Sequence, residues 1–95
     1  MKQLLLRKTL TGDWEQFSFN GKARFFFVKN FTDDDILVSF ESETAEENCF
    51  KIKAGVGEEV TISYNSIDRN EFYVDSIYVK GTGEVEVQAL DAWEA

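Results

Sequence analysis

The segment Lys22–Glu41, KARFFFVKNFTDDDILVSFE, decides the fold that we predict for this 95-residue chain. Hydrophobic residues alternate on both sides of a short acidic stretch, residues 30–35, and successive side chains of a strand point to opposite faces. The stretch is rich in small polar residues that suit a turn. The pattern therefore predicts two paired strands whose buried face carries Phe25, Phe27, Ile36, Val38 and Phe40.

The dipeptide Asn20-Gly21 precedes this segment and predicts a tight β-hairpin, because a type I′ turn requires positive φ at both central residues. A two-residue loop would place Phe17 opposite Arg24 and Phe19 opposite Lys22. In that register the core takes Trp14, Phe25 and Phe27, and the second face takes Phe17, Phe19, Phe26, Lys22 and Arg24. A one-residue slip exchanges the two faces. In either register, large aromatic residues occupy a face that a simple two-layer fold leaves in water.

The rest of the chain continues in short alternating segments separated by turn residues. Segments of this kind at intervals of roughly 8–12 residues indicate an all-β protein. We predict one domain over residues 1–95, an antiparallel β-sandwich or small jelly-roll-like fold of about seven or eight strands. Within it, residues 1–29 form a basic strand and hairpin, residues 30–90 an acidic remainder, and residues 91–95 a short tail.

Charge is distributed unevenly along the chain. The net charge is −8, which disfavours nucleic-acid binding. Residues 1–29 carry +4 and residues 30–95 carry −12. Such a split is typical of a solubilising surface, and it is also compatible with a basic edge of one copy meeting an acidic side of another.

The residue types exclude several kinds of chemistry. The chain has no histidine, which removes histidine-based nucleophile triads and zinc sites, and its glycines do not match a phosphate-binding loop. Cys49 is the single cysteine and is interpreted as a small hydrophobic residue rather than a reactive thiol. The triplet Asp33-Asp34-Asp35 is interpreted as a solvated turn, with a bound cation as the alternative. We therefore predict no enzymatic activity, no catalytic residue, no cofactor and no metal ligand.

The N-terminal apolar run is too short for a signal peptide, and no apolar run is long enough to span a membrane. The single cysteine fits a protein folded in a reducing cytoplasm, and we expect no membrane or nucleic-acid partner. Aromatic and leucine-rich strands that meet basic residues favour contact with other proteins, either a second copy or another structural protein. The residues predicted for this interface are Leu5, Arg7, Lys8, Phe17, Phe19, Lys22, Arg24 and Phe26.

Three segments, VKNFTDDDILVSF, FKIKAGVGEEVTI and DSIYVKGTGEVEVQA, give residues 29–90 a recognisable layout of strands and turns. This layout resembles small β-sandwich structural proteins of tailed bacteriophages and prophages. In those proteins a closing hairpin of the form I-Y-V-x-G-x-G-x-V-x-V ends the domain. The family pattern often has proline before the central glycine, where this chain has Ala54 before Gly55. The resemblance implies a head or tail component, located in the virion or the bacterial cytoplasm, that acts by self-assembly, as a homo-oligomer, or by docking on another virion protein.

Aromatic residues also allow a second function from a different class. Trp14, Tyr73, Tyr78 and Trp93 could form a platform on which sugar rings stack, as in a carbohydrate-binding module. Packing in the core and at its rim explains the same residues, since Trp and Tyr are routinely half-buried in sandwiches.

Overall fold

The structure is a computed structural model that describes residues 4–23, 25–61 and 74–90. In these residues the protein is all-β, with six strands in one antiparallel sheet and a single 3₁₀ turn at Glu46–Asn48. The strands are β1 (Leu4–Ala23), β2 (Phe25–Asn30), β3 (Ile36–Ser39), β4 (Phe50–Ile52), β5 (Gly57–Thr61) and β6 (Val74–Leu90). The described residues contain no helix with the length and hydrophobicity of a membrane span.

The long strand β6 is the centre of the sheet. Along one edge it pairs with β1, from Leu4 opposite Ala89 to Ala23 opposite Val74. Its other edge pairs with β2 and then with β3. Strand β5 lies beside β2, and β4 lies beside β3.

Strands β2 and β3 do not form the hairpin that the sequence predicted. Both run antiparallel to β6 along the same edge, with Phe26 opposite Ala89 and Val38 opposite Val79. The Phe31 N–H continues the ladder by donating to the Glu84 carbonyl at 3.1 Å. The acidic stretch is therefore a bulge in one long interrupted strand and does not reverse the chain.

Asn30 holds this bulge in place. Its side-chain amide donates to the carbonyls of Asp34 (2.9 Å) and Ile52 (3.0 Å), and its Oδ1 accepts from the Thr32 N–H at 2.8 Å. The side chain is buried, and such bonds satisfy groups that would otherwise be costly to bury. Asn30 thereby ties the bulge to the end of β4.

The pairing of β1 with β6 is also interrupted beside this bulge. The β1–β6 ladder shifts between Thr11 and Trp14, next to the point where Thr11 lies opposite Thr82. Gly83 has φ of +120° and its Cα lies against Thr32, where a Cβ would approach the Thr32 side chain to 2.8 Å. Because bulges bend strands and increase their twist, the sheet folds over at this level and is nearly closed into a barrel. The predicted sandwich of seven or eight strands is not confirmed, since six strands are present in the described residues.

The folded sheet encloses one hydrophobic core. The core contains the predicted inward residues of β3 and β6, including Ile36, Val38, Ile77 and Val79. It also contains Phe17, Phe19 and Phe26, of which Phe17 and Phe26 are 0% exposed. The predicted exposure of these three residues is wrong.

The buried and exposed faces of β2 are therefore the reverse of those predicted. Phe25 and Phe27 were predicted to be buried, but they are half-buried on the opposite side of the strand from Phe26. Trp14 is likewise half-buried instead of lying in the core. The prediction that large aromatic residues occupy both faces of this strand is confirmed, with the identities of the two faces reversed.

The exchange has its origin in the Asn20-Gly21 segment, which does not form the predicted hairpin. Phe17 lies opposite Ile77 instead of Arg24, and Phe26 lies opposite Val60 and Ala89. The ladder with β6 is interrupted between Ser18 and Ala23 and then resumes. Pairing with the distant β6 is much longer than the local hairpin would be, so the long-range register determines which residues face the core.

Candidate functional site on the outer face of the sheet

Strand β2 presents a row of aromatic side chains to the outside of the molecule. Alternation places Phe25, Phe27 and Lys29 on the side opposite the buried Phe26 and Val28. Phe31 continues this alternation by one more ladder bond and is 53% exposed. Alternate side chains of a strand lie roughly 6–7 Å apart, so these rings follow one another along the strand.

A row of three charged residues crosses the same surface at right angles to the strands. Arg7 on β1 and Lys29 on β2 both lie opposite Glu86 on β6. Arg7 Nη2 donates to Glu86 Oε1 at 2.6 Å, and Lys29 Nζ lies 3.4 Å from Glu86 Oε2. The Glu86 carboxylate is almost completely covered, whereas the side chains of Arg7 and Lys29 are 56% and 46% exposed.

This arrangement determines the ionisation of Glu86. The hydrogen bond from Arg7, supported by Lys29, lowers the pKa of Glu86 below its ordinary value, although burial acts in the other direction. The same hydrogen bond raises the pKa of Arg7. One carboxylate is thus held ionised between two cations, and the row carries a net charge of +1 at neutral pH.

The ring of Phe27 lies across the neighbouring strand β5. A Cβ on Gly57 would come within 2.7 Å of Phe27 Cε1, so the absence of a side chain at Gly57 makes room for the ring. The ammonium group of Lys29 is 5.8 Å from the centre of the same ring, within the range of a cation–π interaction. Phe27 is therefore fixed in position while part of its surface stays in contact with water.

We use the name outer face for the surface that combines the aromatic row, the charged row and the exposed Leu5 of β1. Leu5 lies opposite Gln88 and is 41% exposed. The outer face consists of Leu5, Arg7, Phe25, Phe27, Lys29, Phe31 and Glu86. Glu59 lies opposite Phe27, and Glu84 precedes Glu86 by two residues on β6, so both exposed carboxylates share this side of the sheet. The outer face is therefore an apolar surface that carries both basic and acidic groups, in a protein whose net charge is −8.

The predicted interface residues are dispersed in the structure. Leu5 and Arg7 lie together on the outer face. Lys22 is exposed near the end of β1, and Arg24 lies outside the described residues. The three aromatic members, Phe17, Phe19 and Phe26, are in the core, so they offer no surface to a partner.

Lys8 is engaged within its own chain. Its ammonium group donates to the Gln16 carbonyl at 2.8 Å, lies 3.4 Å from Glu15 Oε1, and sits 5.3 Å from the centre of the Phe17 ring. Since Arg7 and Lys29 are paired with Glu86, the basic residues of the N-terminal part do not form a continuous basic edge in the described residues. The charge split in the sequence is therefore partly neutralised by internal ion pairs.

Sequence reasoning missed Phe25, Phe27, Phe31, Lys29 and Glu86 as members of this surface. A signal was present, because Lys29 shares its strand face with Phe25 and Phe27 and a lysine marks a face in contact with water. Arg24 gave an equal signal for the opposite face, so the two could not be separated without the register.

The described residues show no convergent catalytic or metal-binding group. No cluster of three histidine, cysteine, aspartate or glutamate side chains is suited to a metal ion in residues 4–23, 25–61 and 74–90, and Asp33–Asp35 are exposed on the bulge. Burial and the nearby Glu46 and Glu47 raise the pKa of the Cys49 thiol, which lowers its thiolate fraction and its reactivity.

A shallow open depression of about 290 Å³ lies where β3 ends and the loop to β4 begins. It is bordered by Phe40, Glu41, Phe50 and polar residues of the loop between β3 and β4. Beside it, the hydroxyl groups of Ser39 and Thr44 form a hydrogen bond of 2.6 Å, and Thr44 Oγ1 also donates to the Glu41 carbonyl at 2.7 Å. These bonds give the loop a defined shape.

Two of the four residues considered for sugar stacking fall on neighbouring strands. Trp14 lies opposite Lys80 and Tyr78 lies opposite Gln16, which makes the two rings diagonal neighbours on one side of the sheet. Both side chains are half-buried, and the Lys80 ammonium is 6.0 Å from the Trp14 ring. Tyr73 and Trp93 lie outside the described residues.

No family model, no curated protein and no solved structure matches this chain. The functional inference therefore depends on the geometry of the outer face and on the layout of the sequence.

Proposed function

We propose that the protein is a non-enzymatic structural protein that works through protein–protein contacts made by the outer face. The observation that carries the proposal is the row Phe25, Phe27 and Phe31 beside the cations of Arg7 and Lys29. Aromatic residues and arginine are enriched at the centres of protein interfaces, where they supply most of the binding energy. Phe31 is 53% exposed and keeps apolar surface that a partner can cover.

The biological setting that we propose is a phage or prophage particle, with the protein as a head or tail component. The layout of strands and turns over residues 29–90 supports this setting through its resemblance to small β-sandwich virion proteins. The folding of the sheet onto itself is compatible with the two-layer packing of such proteins, and the location would be the virion or the bacterial cytoplasm.

The absence of histidine from the sequence supports a role without catalysis. General acid–base chemistry near neutral pH most often uses histidine or a carboxyl group with a raised pKa. Glu86 has a lowered pKa and is engaged by two cations. Its position suits the shaping of a binding surface better than proton transfer.

The proposed function is tested by mass spectrometry of particles induced from a strain that carries the gene. The expected result is that the protein is present in purified particles at a fixed ratio to the other structural proteins. A Phe31→Asp allele should lower this ratio strongly, whereas Ser18→Asp, an exposed site outside the outer face, should not. Particles that lack the wild-type protein would contradict the proposal.

Carbohydrate binding is the second candidate, and the diagonal pair Trp14 and Tyr78 favours it. Stacking of a sugar ring on Trp14 should change the tryptophan fluorescence in titrations with oligosaccharides, and Trp14→Ala should abolish the change. Unaltered fluorescence across a broad panel of glycans would remove this candidate.

A further inference from the structure

A series of packed aromatic rings leads from the core to the depression beside the loop between β3 and β4. The ring of Phe40 lies 5.9 Å from the buried Phe26 and 6.2 Å from Phe50, measured between ring centres. Phe40 and Phe50 meet edge to face, with 88° between their planes, and both border the depression. Phe50 is 40% exposed. The core therefore fixes an aromatic wall whose outer surface is open to a ligand.

Two polar side chains border the same depression without a partner among the described residues. Glu41 and Asn48 are exposed, and neither side chain forms a hydrogen bond or an ion pair with another described residue. The hydroxyl groups of Ser39 and Thr44, which also border the depression, are bonded to each other. The rim therefore offers a carboxylate that accepts hydrogen bonds and an amide that both donates and accepts them.

The loop between β3 and β4 holds these groups in place before a ligand binds. The Glu41 N–H donates to Ser39 Oγ at 3.1 Å, and Thr44 Oγ1 donates to the Glu41 carbonyl at 2.7 Å. At the other end of the loop, the Asn48 N–H donates to the Ala45 carbonyl at 2.9 Å. A binding surface that is already ordered loses less entropy when a ligand binds.

We propose that the depression binds a neutral sugar, one ring at the end of an oligosaccharide. The C–H groups on one face of such a ring pack against an aromatic side chain, here Phe50. Its hydroxyl groups donate to the Glu41 carboxylate and exchange hydrogen bonds with the Asn48 amide. The volume of about 290 Å³ is at the lower end of the range for ligand sites, about 300–1,000 Å³, which suits a single ring. The open side leaves the rest of the oligosaccharide in water.

The charged residues around the depression make a neutral ligand the best match. The loop is acidic, with four glutamates and no basic residue in residues 41–48, and these carboxylates disfavour an anion. Lys51 and Lys80 both lie opposite Leu37 on the neighbouring strands, so the surroundings are not uniformly negative. An organic cation would use the Glu41 carboxylate and an aromatic ring, but it would make no use of the Asn48 amide hydrogens.

This inference goes beyond the proposed function, because the outer face takes no part in it. It also differs from sugar stacking on Trp14 and Tyr78, since neither residue borders the depression. The two sugar sites are therefore separable by substitution, and failure of either site leaves the protein–protein contacts of the outer face untouched.

Nuclear magnetic resonance titrations of the isotope-labelled chain test the inference, because phenylalanine gives no tryptophan fluorescence signal. The ligands are neutral trisaccharides of glucose, galactose, mannose, xylose and N-acetylglucosamine. Each is added to about 20 mM, well above a dissociation constant of about 1 mM that marks a weak contact. At least one trisaccharide should shift the backbone amide signals of residues 39–50 and reach saturation.

Phe50→Ala and Asn48→Ala test the aromatic wall and the polar rim separately. Each should raise the dissociation constant about tenfold, the effect of losing one favourable contact. Asn48→Ala changes an exposed side chain and should keep the native spectrum, so the test does not depend on the folding of Phe50→Ala. Trp14→Ala and, on the outer face, Phe31→Ala are the controls and should bind the sugar like the wild type.

Three results would overturn the inference. The first is the absence of saturable shifts with every trisaccharide. The second is binding that Trp14→Ala abolishes and Asn48→Ala leaves unchanged, which would assign the sugar to the Trp14 and Tyr78 pair. The third is a saturable response to choline chloride and to no sugar, which would identify a site for organic cations. A protein that is present in particles but binds no sugar would remove this inference and leave the proposed function standing.

Discussion

The two faces of β2 carry the same residue type in different environments. On the inner face, Phe26 is fully buried and its ring lies 5.7 Å from Phe19 and 5.9 Å from Phe40, measured between ring centres. On the outer face, Phe27 lies across Gly57 and keeps part of its surface in water. The inner ring contributes to folding, and the outer rings retain apolar surface that a partner can cover.

The largest expected effect is a difference in protein stability between a substitution on the inner face and one on the outer face. Phe26→Ala should lower the free energy of unfolding by about 3–5 kcal/mol, since it removes a ring from a closely packed core and leaves a cavity. Phe31→Ala should change it by less than about 0.5 kcal/mol, because the ring is mostly exposed. Urea denaturation of both variants measures the difference, and equal losses would show that the two faces are not distinct.

The bulge at Asn30 is the next element to test, because it lies where β2 passes into β3. Asn30→Ala leaves the Ile52 carbonyl and the Thr32 N–H without their side-chain partner. Each unsatisfied buried group costs about 1–3 kcal/mol. We therefore expect the free energy of unfolding, measured by urea denaturation, to fall by about 1–3 kcal/mol or more. Asn48→Ala, at an exposed position, is the control. A loss no larger than that of the control would contradict the role of Asn30.

Part of this fold could be predicted from the sequence. Alternation alone identified the all-β class and the inward residues of β6, such as Ile77 and Val79, because a strand buried on one face has a strict period of two. For β2 the same rule gave no unique answer, since Arg24 and Lys29 mark opposite faces as exposed.

The register could not be predicted because it depends on residues far apart in the chain. Asn20-Gly21 predicted a local hairpin, but the pairing of β1 with β6 joins Leu4 to Ala89 and extends over most of both strands. The Arg7–Glu86–Lys29 row depends on the same long-range pairing. No local pattern shows that Glu86 receives two cations.

The outer face should also respond to acid in a way that the core does not. The pKa of Glu86 is lowered in the folded protein, so its ion pairs stabilise the fold above the unfolded pKa of about 4.3. This contribution is lost as the pH falls through the lower folded value. The difference in melting temperature between the wild type and Glu86→Gln should therefore shrink from pH 7 to strongly acidic pH.

Glu58→Gln, at an exposed position on β5, is the control for these melting temperatures. Its difference from the wild type should be small at every pH. A difference for Glu86→Gln that stays constant down to strongly acidic pH would show that the charged row does not depend on an ionised Glu86.

The direction in which β2 presents its rings depends on the pairing of β2 and β3 with β6, and nuclear magnetic resonance can observe that pairing directly. We predict cross-strand nuclear Overhauser effects between the backbones of Phe26 and Ala89 and between those of Val38 and Val79. Backbone effects that instead place Phe26 opposite Glu15 and Phe17 opposite Arg24 would establish the local hairpin. They would return Phe25 and Phe27 to the core and remove the outer face.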